Sequence, residues 1–194
     1  MAGGIERRKK SSSAGHAAVL SLAISLACAP AWAQQPPLVA AIEAAYLTKF
    51  PPFVDWPDGR EERTSLTLCV LDDDQVSELA ETAAKKILPP AHTEIVRRLE
   101  SPTRIEGCDI LFIGPATGTG IGPVLDAAAS KPVLTITAGE PEGRKGIINF
   151  VVKDDRLRFE IDDAEAARHA LRISSKLLSL AVSVKERMQR NPPP

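Results

Sequence analysis

The chain has 194 residues, 44% of them hydrophobic and 25% charged, with 24 basic side chains against 25 acidic ones. That length suits one globular domain with a substantial core, and a formal charge of −1 gives no basic footprint for a nucleic-acid binder. Three cysteines are too few for a disulfide-dense miniprotein or a zinc site built on four of them, so any cysteine function rests on one pair.

The first segment reads as an export signal. Arg7-Arg8-Lys9-Lys10 is a basic start, Ala17 to Ala29 an apolar stretch, and Ala31-Trp32-Ala33 an A-x-A cleavage pattern. The apolar stretch is shorter than the roughly 20 residues that a bilayer crossing takes. Residues 1–33 are therefore expected to be a signal peptide cleaved after Ala33, and residues 34–194 a single α/β domain delivered to the periplasm. A lipid-modified Cys28 is the weaker alternative, because Ser25-Leu26-Ala27 lacks a leucine three positions upstream. General secretory and twin-arginine export both remain open. Cleavage removes four basic residues and one acid, which leaves the mature chain mildly acidic.

In the mature chain, Val39, Ile42, Tyr46 and Phe50 recur at helical spacing, and Pro51-Pro52 ends that helix. Phe53-Val54-Asp55-Trp56-Pro57 is a rigid aromatic piece. Ser65 to Leu71 alternates and then turns wholly apolar, as a strand does. A helix is expected over Val76 to Leu88, a strand over Thr93 to Leu99, and a strand buried on both faces over Asp109 to Ile113. A helix over Gly122 to Ser130 and a buried strand over Val133 to Thr137 follow. Ile147 to Lys153 and Arg156 to Ile161, joined by Asp154-Asp155, read as a hairpin. Strands alternating with helices predict a three-layer α/β domain: a mostly parallel sheet, a C-terminal antiparallel hairpin and one long final helix from Asp162 or Asp163 to about Arg187. The apolar rows of that helix, Ile173 and Leu177 among them, are wider than one sheet contact needs. Burial between the sheet and the first helix, or a homodimer interface, would use the surplus.

Few residues offer chemistry. Asp72-Asp73-Asp74 at a strand end invites comparison with a magnesium site, but the partner strand ends in Gly114 rather than an acid, so a helix N-cap is the better reading. Gly114 to Gly120 is glycine-rich without the Gly-Lys-Ser/Thr ending of a phosphate loop. His92 and His169 are not spaced as a metal pair, and adjacent helical residues such as Ser174-Ser175-Lys176 cannot form a dyad. No catalytic residue, metal or cofactor is expected.

Cys69 and Cys108 are the exception. One lies near the end of the first strand and the other before the strand that should neighbour it, within reach of a disulfide; two separate buried thiols are the competing arrangement.

Several segments together carry a resemblance: Ala44-Ala45-Tyr46-Leu47-Thr48-Lys49-Phe50 with Phe53-Val54-Asp55-Trp56-Pro57, Ser65 to Val70, Cys108 to Gly114, Gly146 to Val151, Arg158 to Ile161, and Ile173 to Leu178. In this order they resemble the YfiR family of exported bacterial proteins. The resemblance implies a non-enzymatic periplasmic repressor of an inner-membrane diguanylate cyclase of the YfiN type. It also implies sequestration by an outer-membrane lipoprotein of the YfiB type and an effect on cyclic-di-GMP and biofilm formation. Cys69 and Cys108 match the family's cysteine pair, whose oxidation supports the active repressor; the second pair of some members is missing after Gly139. For partner contacts we single out Phe53 and Trp56, the outward row with Arg158 and Glu160, and Ile173 and Leu177 on the final helix. The rival reading is a small-molecule binding protein with its pocket at the carboxyl ends of the strands, near Asp72 to Asp74 and Gly114 to Gly120.

Overall fold

The computed structural model describes residues 37–57, 65–86, 93–101, 104–115, 120–139 and 143–187. The expected signal segment, its cleavage site and His92 lie outside them, as does most of the Gly114–Gly120 loop.

Helix α1 (Pro37–Leu47) leads through one 3-10 turn (Pro51–Phe53) to a short strand β1 (Val54–Asp55). Strand β2 (Ser65–Leu71), helix α2 (Asp74–Ala84) and strands β3 (Thr93–Leu99) and β4 (Ile110–Ile113) follow. Next come α3 (Ile121–Ala128), β5 (Leu134–Ala138), β6 (Ile148–Lys153), β7 (Arg156–Asp162) and α4 (Asp163–Arg168), then β8 (Arg172–Ile173), α5 (Ser175–Leu178) and β9 (Ser183–Lys185). Seven strands form one sheet in the order β3-β2-β4-β5-β6-β7-β9. The pairs from β3 across to β6 are parallel, and β7 reverses against β6. The fold is the expected three-layer α/β domain with its antiparallel hairpin.

The pleat sorts β2 into two cores. Leu66, Leu68 and Val70 join Ile110, Phe112, Leu134 and Ile136 on the face covered by α1 and α2. Cys69 and Leu71 join Leu111, Ile113 and the α3 residues Val124, Leu125 and Ala128 on the other. Tyr46, Phe50, Phe112, Phe150 and Phe159 form a chain of ring contacts in the first core, with centroids 5.3–6.3 Å apart. The hairpin turn holds both Asp154 and Asp155 at positive φ, 51° and 54°, the requirement of a two-residue turn that follows sheet twist.

The long final helix is not formed. α4 ends at Arg168, and Ala170 takes a φ of +57°, which stops a helix of L-residues. Tertiary pairing then overrides helical spacing. Ile173 pairs with Val54 in a separate two-stranded sheet, and Val184 pairs with Ile161 at the edge of the main one. These β-branched residues fit strands at least as well as a helix. The wide apolar helix face, expected either to be buried against the first helix or to form a homodimer interface, therefore does not exist in that form.

Candidate functional site

Two places in this frame concentrate chemistry. The first is the cysteine pair. Parallel pairing sets Cys69 opposite Leu111, and Asp109 locks the approach to β4: its N–H donates to the Thr67 carbonyl at 2.9 Å, while its carboxylate accepts from the Thr67 N–H at 2.8 Å. Cys108 is thus brought to a Cα separation of 5.7 Å from Cys69, and the two form a disulfide. Both cysteines are buried. Arg97, directly across from Cys69 on edge strand β3, lays one guanidinium nitrogen 3.2 Å from the Cys69 sulfur and 2.9 Å from that of Cys108, and donates to the Glu106 carbonyl at 2.6 Å. A cation over the sulfurs favours any thiolate formed on opening. Arg97 was not foreseen; its register opposite Cys69 is the only signal that could have shown it.

The second place is a polar cavity of about 340 Å³ beside α4. Arg144, Lys145, Arg168, His169 and Lys185 line it, with Thr135 and the carboxylates of Asp162 and Glu165. Asp162 caps α4, one oxygen accepting from the Glu165 N–H at 2.7 Å and the other pairing with Lys185 at 2.8 Å. Glu165 pairs with Arg168 and sits 3.3 Å from His169 Nε2. The His169 ring is buried, and Nδ1 lies 2.8 Å from the Lys131 carbonyl oxygen. Burial lowers its pKa below the usual 6.5, more than the carbonyl raises it, and the Arg168 charge works in the same direction as burial. Beneath, Arg187 donates twice to the buried Asp163, at 2.6 and 2.9 Å, and once to the Leu171 carbonyl. That pairing raises the Arg187 pKa.

The cavity lies at the amino ends of β5 and β6, opposite the carboxyl ends where a pocket was expected. At those carboxyl ends Asp73 is an N-cap, its side chain accepting from the Val76 N–H at 2.8 Å, and burial raises its pKa against the pull of the Val76 and Gln75 N–H groups. Gly114 packs so closely that a Cβ there would lie 2.8 Å from the Asp72 carbonyl oxygen. The glycine serves a close approach of two loops. Ser174 likewise caps α5 through the Leu177 N–H. Among the described residues no group of three or more His, Cys, Asp or Glu could hold a metal.

The residues singled out for partner contact divide. Trp56, Ile173 and Leu177 are buried in the first core and are corrected to packing residues: β8 pairs with β1 and sets Ile173 opposite buried Val54, while Trp56 directly follows β1 and Leu177 lies on α5 just after β8. Phe53 is half-buried with the Lys176 ammonium over its ring at 5.6 Å. Arg158 is exposed on β7, and Glu160 is half-buried and paired with Lys145 at 3.0 Å. Val152, Leu180 and Val182 also expose apolar surface, Val152 on the other face of the hairpin, opposite Leu157.

No curated protein matches the chain. Among the described residues no helix is long and apolar enough to cross a membrane. A family model does match, over residues 40–182, and its family is one of non-catalytic periplasmic regulators in cyclic-di-GMP signalling. The match spans most of the chain and includes both cysteines, every described element except the first turn of α1 and the short strand β9, and nearly all of the core, so the chain belongs to the YfiR/HmsC-like family.

Proposed function

We propose that the mature protein, residues 34–194 after cleavage behind Ala33, binds the periplasmic part of an inner-membrane diguanylate cyclase of the YfiN type and holds it inactive. Cyclic-di-GMP output falls and biofilm formation is restrained. An outer-membrane lipoprotein of the YfiB type would withdraw the repressor. Family membership is the observation that carries this reading, and the Cys69–Cys108 bridge supports it. A repressor of this kind acts by binding one state of its receptor better than another, since a ligand shifts an equilibrium only by its differential affinity.

We assign the contact to the outer side of the hairpin, where exposed Arg158 and half-buried Glu160 share a face with half-buried Val151, the register partner of Arg158. An apolar side chain ringed by charge suits a non-obligate protein contact. Phe53 joins the set through its exposed part.

The test is a pull-down of solubilised inner membrane with the tagged protein, oxidised and reduced. Recovery of a diguanylate cyclase, lost on Arg158→Glu, is the expected result. Recovery of no membrane receptor by either form would overturn the reading. Recovery by the oxidised form alone would make the bridge a redox gate, and recovery by both would leave it structural.

A further inference from the structure

The polar cavity beside α4 has a donor surplus that its own carboxylates do not absorb. A guanidinium carries five N–H donors and an ammonium three. Arg168 is held by Glu165 and Lys185 by Asp162 within the cavity, whereas Arg144 is held by Asp126 and Lys145 by Glu160 from outside its lining. Each cation is fixed by one carboxylate and keeps further donors. The two acids of the lining, in contrast, are committed: Asp162 to a helix N–H and Lys185, Glu165 to Arg168 and His169. Four fixed cations face two committed carboxylates in this cavity, and Glu160, already paired with Lys145, lines the adjoining smaller one, so the combined lining keeps one cation in excess.

A second observation comes from the adjoining lobe. A smaller cavity of about 150 Å³ shares Lys145, Asp162 and Lys185 with the larger one and has Asn149 in its wall. Asn149 is only 2% exposed, and its amide nitrogen has no hydrogen-bond partner. The Thr137 hydroxyl donates to Asn149 Oδ1 at 2.7 Å and accepts from the Gly146 N–H at 3.2 Å, which leaves the Asn149 amide N–H₂ for some other acceptor. A buried donor without an acceptor costs free energy, and each such group asks for an explanation.

We infer that the joined cavities form a binding site for a small dianionic oxyanion, a phosphomonoester or a dicarboxylate. One end would be clamped by Arg144, Arg168, Lys145 and Lys185, and an oxygen at the other would accept from Asn149. Guanidinium groups suit the planar, paired oxygens of both ligand kinds. The volume is at the small end of ligand sites, in keeping with a metabolite rather than a peptide. The carboxylates that hold the cations prepare the site, so less ordering is left to binding. This site does not depend on the repressor reading; it would give such a protein a chemical input next to the assigned contact, since Glu160 belongs to both.

The experiment is calorimetric titration of the purified protein with inorganic phosphate and with succinate, glycerol serving as a neutral probe. Saturable binding of either dianion with a Kd below about 1 mM is expected, without binding of glycerol. Lys145→Gln/Lys185→Gln should weaken it at least about tenfold, in line with loss of charge-assisted hydrogen bonds. Both lysines are solvent-exposed in part, so the melting temperature should fall only slightly, as it does when exposed ion pairs are removed. Arg168→Gln serves as a second variant with the same expectation. Lys153→Gln, an exposed cation outside both cavities, should bind as the parent does. Phosphate alone binding would assign a phosphoryl ligand, and succinate alone a dicarboxylate. Binding of neither, or an equal loss in Lys153→Gln, would overturn the proposal.

Discussion

The neighbourhood of β2 and β4 and the segment from Asp163 to Arg187 are held by different chemistry. In the first, parallel pairing, apolar burial on two faces and a covalent bridge fix the backbone. In the second, four short elements are tied down by side-chain caps and by ion pairs, Arg187 to Asp163 and Lys185 to Asp162. Apolar burial is non-directional and scales with area, so it makes a robust scaffold. Ion pairs and caps are directional and respond to pH, salt and bound charge. The difference assigns scaffold to one region and responsiveness to the other.

The comparison breaks most directly at the bridge. Replacing Cys69 and Cys108 together by Ser opens a loop between residues 39 apart, which the chain-entropy estimate values at about 4 kcal/mol. A large fall in the denaturant midpoint is expected. An unchanged midpoint, or two thiols titrating in the denatured, unreduced parent, would remove the covalent half of the contrast.

In the C-terminal segment the corresponding break is Arg187→Met. It leaves the Asp163 carboxylate, of which 12% is exposed, without its two charge-assisted bonds, and removes a donor from the Leu171 carbonyl. A loss of about 1–3 kcal/mol is expected, smaller than that at the bridge because Arg187 is itself 36% exposed. Urea unfolding of parent and variant measures it, and a loss equal to that of the double serine variant would erase the distinction.

A smaller effect should come from pH, through one titrating group. The His169 pKa is lowered in the folded chain from 6.5, so the unfolded chain takes up the proton first. Stability is then complete above about 6.5 and declines as pH falls through that value toward the folded pKa. Unfolding curves across this range should show the decline, and His169→Gln should flatten it. The same decline in the variant would place the titration elsewhere.

The two regions also differ in how far the sequence discloses them. β2 and β3 carry the expected bounds, Ser65–Leu71 and Thr93–Leu99, and in β2 the alternation is local and its first half is buried as the pleat requires. The Asp154-Asp155 turn is equally local. The cysteine pair was legible because strand neighbours bring it together. The final helix failed for the opposite reason: Ile173, Leu177 and Val184 sit at helical spacing, yet their partners Val54 and Ile161 are far away in sequence. The same holds for Trp56, singled out for partner contact and found in the core. The cavity was hidden too, since Arg144, Arg168 and Lys185 meet only after the sheet has brought three segments to one end.

The smallest expected effect compares like with like, one N-cap from each region. Asp73 caps an eleven-residue helix at 2.8 Å in a half-buried setting, and Ser174 caps a four-residue helix at 3.3 Å. Removal of a cap costs about 0.5–2 kcal/mol. Asp73→Ala should fall in the middle of that range, because it releases the Val76 N–H beside the close approach of Asp72 to Gly114 and removes a charge favourable to the helix dipole. Ser174→Ala should lie at the bottom of it. Its hydrogen bond is longer and neutral, and Leu177 stays anchored by burial whether or not its N–H is capped. Thermal unfolding of the two variants ranks them. A larger loss for Ser174→Ala would mean that this short turn carries the packing of β8 against β1, and the C-terminal segment would then belong to the scaffold rather than to the responsive part.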